Sequence, residues 1–279
     1  MLTKIIKIFT SIILIILPFM TGMSIAKYSP YIEGNDFITY VWIWGITSMV
    51  VAGASLLLIK YLFQSVGRLF STQVLLFSLV VPILGIVGLA SAPDLTINLL
   101  QHPEREHFRY ILLLLAATIF GISFLLFFAN TEIEWTTTLR RMMIVLFIFA
   151  FAELLYELTH HYLYPEGLQA WVDQGNKLED FGKAYDNFLV ITIGCIGRFF
   201  QFTLIALFAF RLYKIRNVKI WSPVISFIFC ILGIISSATV YFTHMSLPKG
   251  FEFLFLFFIP GIPFLVLYWI GVAWLTKDK

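Results

Sequence analysis

Apolar residues run in long stretches through this chain, separated by short polar intervals, at roughly 5–25, 37–59, 69–90, 110–130, 142–163, 188–211, 220–243 and 251–274. Each stretch is near the about 20 residues that a helix rising 1.5 Å per residue needs to cross a bilayer. The pattern predicts an all-α fold: a polytopic integral membrane bundle of about eight transmembrane helices. The longest polar intervals, 91–109 and 164–187, are too short to hold a separate core. Residues 1–279 are therefore expected to form a single transmembrane domain.

Composition sharpens this reading. Hydrophobic residues make up 60% and charged residues 13%, against roughly half and a quarter in soluble domains. A water-soluble fold could not cover that much apolar surface. The overall charge of +3 decides little, because the positions of Lys and Arg set orientation. With eight alternating helices, twelve basic residues fall on the side of the termini: Lys4, Lys7, Lys60, Arg68, Arg140, Arg141, Arg211, Lys214, Arg216, Lys219, Lys277 and Lys279. Six fall opposite, namely Lys27, Arg105, Arg109, Lys177, Lys183 and Lys249. Both termini are expected in the cytoplasm, the loops 91–109 and 164–187 face outward, and the expected location is a bacterial inner (plasma) membrane. The first span, with its basic start and the small residues Ser24-Ile25-Ala26, also imitates a secretory signal peptide, so residues 1–26 could be cleaved. Cys195 and Cys230 lie inside spans, where a small packing role is the ordinary one.

The outward loops differ in kind. Residues 92–101 mix apolar and polar side chains in the manner of a short amphipathic helix lying along the interface. Residues 164–187, charged and carrying Trp171 and Gly175, are expected to cap the fifth and sixth helices. Small residues three or four apart, Ser48 with Ala52, Gly85 with Gly88, and Ala117 with Gly121, mark close helix contacts. Pro260 and Pro263 remove two backbone donors from the last span and should bend or unwind it, leaving carbonyls in need of partners. No internal repeat supports a duplicated transporter plan.

Candidate chemistry concentrates on the fifth span. Glu153, Tyr156, Glu157, His160 and Tyr164 are spaced i, i+3, i+4, i+7 and i+11, so they share one helical face. Ionisable groups at this depth are costly and face a bundle interior or a water-filled cavity. On the sixth span, Arg198 lies about ten residues, near 15 Å, below the outer boundary, at the level of Glu153, with Gln201 one turn deeper. A Glu153–Arg198 ion pair is expected, serving either helix register or a function. Glu157 faces Gly194 and Cys195 by the same rule and meets no cation. It should hold a proton, bond His160, or contact something outside the chain, which makes it the candidate catalytic group.

All five histidines, His102, His107, His160, His161 and His244, fall at the outward end. His160 and His244, with His102 or His107, are candidate zinc ligands beside Glu157, although no H-E-x-x-H or other zinc spacing occurs. The paired S-x-x-x-H and H-x-x-x-H patterns of one class of membrane hydrolase are absent. Cys195, Arg198 and His244 lack the local cysteine context of membrane transpeptidases, and Ser123 has no neighbouring histidine. Three functions remain in view. The first is an outward polar cavity, lined by Glu153, Tyr156, Glu157, His160, Arg198, Gln201, Tyr241 and His244, that binds or moves a small molecule, lipid or protons. The second is a non-catalytic subunit or assembly factor, and the third an outer-leaflet metal-dependent hydrolase or transferase. The expected partners are the lipid bilayer and either a small amphiphilic ligand or other membrane subunits; nothing points to nucleic acid.

Overall fold

The computed structural model describes residues 2–63, 70–89, 95–131 and 133–277. Each apolar stretch folds as helix, the one backbone form that satisfies its own donors and acceptors within a single segment in lipid. In chain order the helices are α1 (Leu2–Ala26), α2 (Phe37–Phe63), α3 (Phe70–Val87), α4 (Leu95–Gln101), α5 (Pro103–Ala129), α6 (Thr137–Tyr162), α7 (Tyr164–Asp173), α8 (Phe181–Tyr185), α9 (Phe188–Lys214), α10 (Trp221–Thr243), α11 (Phe255–Phe258) and α12 (Gly261–Leu275). Among the described residues there is no strand.

Six of these, α1, α2, α5, α6, α9 and α10, are long and apolar enough to cross a membrane. The last apolar stretch is broken: Glu252–Phe258 and Gly261–Leu275 meet at 66°, and counting them as one span gives seven. The expected third span appears as α3, of 18 residues and about 27 Å at 1.5 Å per residue. Residues 64–69 before it and 90–94 after it lie outside the described ones. Among the described residues the count is thus six or seven, where the apolar runs predict eight. The chain is a multi-pass helical membrane protein.

The centre is occupied by α12, whose residues from Pro263 to Leu275 are almost all buried except Trp269. A helix apolar on every side suits a position enclosed by neighbours. Around it, Phe120, Phe124, Phe127, Phe147 and Phe208 pack edge-to-face and offset, with Phe127 and Phe208 rings 4.4 Å apart and Trp274 closing the cluster. Small residues let neighbours in. A side chain on Gly85 would strike Leu112 and Trp44, one on Gly88 would strike Tyr40, and one on Gly121 would meet Phe151 at 2.8 Å. Ser48 and Ala52 lie on the buried stripe of α2.

Proline leaves a mark on α1. Pro18 has no N–H to donate to the carbonyl of Leu14 four residues earlier, and the Tyr268 hydroxyl of α12 donates to that oxygen at 2.7 Å. Trp269 Nε1 donates to the next carbonyl, Ile15 O, at 3.1 Å.

The two long polar intervals build one cap. Leu99 of α4, Leu168 of α7 and Phe181 of α8 form a small second core with Trp171 and Tyr185 against it. The amphipathic segment expected at 92–101 is helical from Leu95; residues 92–94 lie outside the described ones. The cap leads into α9 through Asn187, whose side chain accepts from the Leu189 and Val190 amides. Such a cap contributes about 1 kcal/mol, and it sets Asp186 at the mouth of the bundle.

Candidate functional site

The face of α6 predicted to be polar meets α9, and Arg198 is the hub of that contact. The Arg198 side chain is fully buried. Its Nη2 donates to Glu157 Oε2 at 2.5 Å, its Nη1 to Gln201 Oε1 at 2.9 Å and its Nε to the Phe258 carbonyl at 2.8 Å. Glu153 Oε2 is 3.8 Å from Nη1 and takes its short hydrogen bond, 2.5 Å, from Gln201 Nε2. The expected Glu153–Arg198 ion pair is thus present at 3.8 Å, but the closer partner of Arg198 is Glu157, which does meet a cation. Matching residue levels on two helices ignores the length of the side chain. An arginine stem reaches further than one helical turn of 5.4 Å, and it runs toward the wetter end.

The same guanidinium explains how the broken span is tolerated. At the break, the Ile262 amide donates to Ile259 O at 3.2 Å, so the Phe258 carbonyl has lost the donor four residues on. Arg198 Nε replaces that donor, and the guanidinium also lies over the Phe258 ring, 5.7 Å from its centroid. The expectation that a proline-broken helix needs outside donors finds its answer on α9.

Above this cluster, at the histidine-bearing end, lies a cavity of about 390 Å³. Arg109, Tyr110, Glu157, His161 and Asp186 form its polar side; Leu113, Val190, Ile191, Phe255 and Phe258 are among its apolar residues. Arg109 is ion-paired with Glu106 one turn earlier on α5 and donates to Leu89 O at 3.3 Å. His161 stacks on Tyr110 with ring centroids 5.5 Å apart. Its Nδ1 lies 2.9 Å from the Glu157 carbonyl, an acceptor, so Nδ1 carries the hydrogen and leaves Nε2 turned toward Asp186 at 3.8 Å. His160 Nε2 holds the same Asp186 oxygen at 3.1 Å. In the cap, burial pushes the Tyr164 phenol up to about 12, with Asp186 adding to the effect, and burial likewise raises Tyr185. Both phenols stay neutral at ordinary pH, and Tyr185 donates to the His160 carbonyl at 2.9 Å.

The structure brings together some of the residues expected in the cavity. Glu157 lines it; Glu153, Arg198 and Gln201 lie sealed beneath it, and His160 stands beside it on Asp186. Tyr156 is 43% exposed on the outside of α6. Tyr241 lines a separate groove between α9 and α10, with Cys195, Phe199 and Ser237. His244 ends α10 in a left-handed conformation, φ 49°, with its ring against Phe188. Neither of these two lines the cavity, although Met245, directly after His244, does. The cavity residues that sequence reasoning missed are Arg109, Tyr110, His161 and Asp186. One signal was present: Glu106 and Arg109 are i, i+3 on α5, a spacing that pairs charges at a span boundary.

The candidate metal ligands are scattered. His102 lies 3.3 Å from Glu104, His107 2.9 Å from Glu166, and His160 joins Asp186. Among the described residues, no three His, Cys, Asp or Glu side chains are grouped to hold a metal ion. Cys195 and Cys230 are buried and unbridged.

Fold and site together define a multi-pass helical membrane protein with a partly polar cavity at one end, floored by a buried ion network. No protein-family model matches the chain, and no curated protein or solved structure matches it at a significant level.

Proposed function

We propose that this protein binds a small amphiphilic molecule in the cavity between α5, α6, α9 and the α11–α12 break, with the cavity facing away from the cytoplasm. The observation that carries the reading is the division of the lining. Arg109, Tyr110, Glu157, His161 and Asp186 are polar, whereas the rest, from Ile86 to Phe258, is almost wholly apolar. The volume of about 390 Å³ lies within the range of small-molecule sites, and a few polar groups in an apolar wall are what fix a ligand's orientation in such sites. An amphiphile would place its head among the charged groups and its tail along Leu113, Val190 and Ile191. Glu157, already neutralised by Arg198 from below, can accept from a bound hydroxyl or amine without leaving its partner.

The test is to purify the protein in a mild detergent and extract what it retains. Val190→Trp fills the cavity from its apolar side without touching the ion network. The wild type should release a small amphiphile that Val190→Trp does not, and the extracted compound should raise the melting temperature of the wild type alone. An empty wild type, or equal retention by Val190→Trp, refutes the reading and leaves the non-catalytic subunit or assembly factor as the better one.

A further inference from the structure

Beneath the cavity, two carboxyl groups share one cation. The donors of Arg198 go to Glu157, Gln201 and the Phe258 carbonyl, and Glu153 stays 3.8 Å away. The Glu153 side chain is only 5% exposed. One of its oxygens accepts from Gln201; the other, Oε1, is buried with no hydrogen-bond partner among the described residues. An ionised carboxylate is purely an acceptor and calls for donors at both oxygens. Here one oxygen would be bare, and the cluster would hold an uncompensated negative charge out of water, which is strongly unfavourable.

Among the described residues, the surroundings offer no other compensation. From α6 comes Glu157; from α9 come Arg198, Gln201 and the Cys195 thiol; the α11–α12 break supplies a carbonyl that already accepts from Arg198; and α5 places Arg109 in the cavity, paired with Glu106. The Glu153 and Glu157 carboxyls, one turn apart on α6, converge on the same guanidinium, at 3.8 and 2.5 Å from its nitrogens. Two acceptors in that position repel unless a hydrogen stands between them. Space for the Glu153 carboxyl is made by Gly197, where a Cβ would fall 1.9 Å from its carbon.

We infer that Glu153 is a buried proton-binding site, carrying one exchangeable proton directed toward the Glu157 carboxylate. The step is simple in its balance: the Glu153 carboxylate takes one proton to become the neutral acid, and gives it back through Glu157 to the cavity. Arg198 keeps its charge throughout, and no other bond changes. The inference rests on the cluster alone and needs no occupant above it. It also exchanges the parts that sequence reasoning gave the two glutamates, making Glu157 the ion-pair partner and Glu153 the proton carrier.

Infrared spectroscopy of the protein in an ester-free and carboxyl-free detergent tests this. At neutral pH the wild type should show a protonated-carboxyl C=O stretch that shifts in D2O. Glu153→Gln should abolish it, Glu153→Asp should move it, and Glu166→Gln, at the exposed cap, should leave it in place. Absence of the band from the wild type overturns the inference without recourse to any variant. So does a band that survives unchanged in Glu153→Gln or in Glu153→Asp.

Discussion

Replacing Arg198 by methionine keeps an apolar stem of similar length and removes only the charge and its hydrogen bonds. Glu157 then loses its cation, and the Phe258 carbonyl at the helix break loses its donor. Removing one member of a buried pair costs about 3–5 kcal/mol, and a stranded buried acceptor about 1–3 more. These overlap, so about 4–6 kcal/mol is expected for the single variant. The informative quantity is the coupling within double-mutant cycles. The separations of 2.5 Å to Glu157 and 3.8 Å to Glu153 differ by about 2 kcal/mol of attraction at an effective permittivity of about 20. If Glu153 is the neutral acid, its share falls further. Arg198→Met with Glu157→Gln should therefore show a coupling of about 2–3 kcal/mol, and Arg198→Met with Glu153→Gln less than about 1. Reversible unfolding in mixed micelles reads both. Equal couplings, or the larger one with Glu153, would refute the arrangement around Arg198.

Gly197→Ala should destabilise the protein by about 1–3 kcal/mol through overpacking against the Glu153 carboxyl. The cost should shrink in a Glu153→Ala background, while Gly194→Ala, whose added carbon would sit 3.6 Å from Phe258, should be mild; equal costs in both backgrounds contradict the contact. For orientation, cysteines at Thr137 and Gln174, at opposite ends of the α6 region in a chain lacking Cys195 and Cys230, should react with impermeant reagent from opposite faces of sealed vesicles. Gln174 should react from the non-cytoplasmic face. Gly175 beside it is a poorer choice, since φ +78° strains any side chain placed there.

Hydropathy made the bundle legible because lipid punishes any spanning form but a helix, and the boundaries of α2, α9 and α10 lie within a few residues of the apolar runs. The shared face of Glu153, Glu157 and His160 was legible for the same reason, since helical periodicity is local. The closer partner of Arg198 was not, because one turn of helix is shorter than an arginine side chain. The cavity was legible only in part. Its walls come from α5, α9, the cap and a helix break far apart in the chain, and nothing in the charged run 164–187 marks Asp186 as the residue that turns inward. Tyr241 and His244 share the depth of the cavity but not its azimuth, which depth along the chain does not encode.

The hydrogen bond from Tyr268 to Leu14 spans 254 residues, and this places the order of synthesis inside the fold. Helix α1 is made well before α12, with an acceptor that its own proline has orphaned, and the hydroxyl that satisfies it is synthesised 254 residues later. Until then α1 must find water or a transient neighbour for that carbonyl. Helix α12 acts on α1 as a keystone does, arriving later, at the centre, and holding in place an element made long before it.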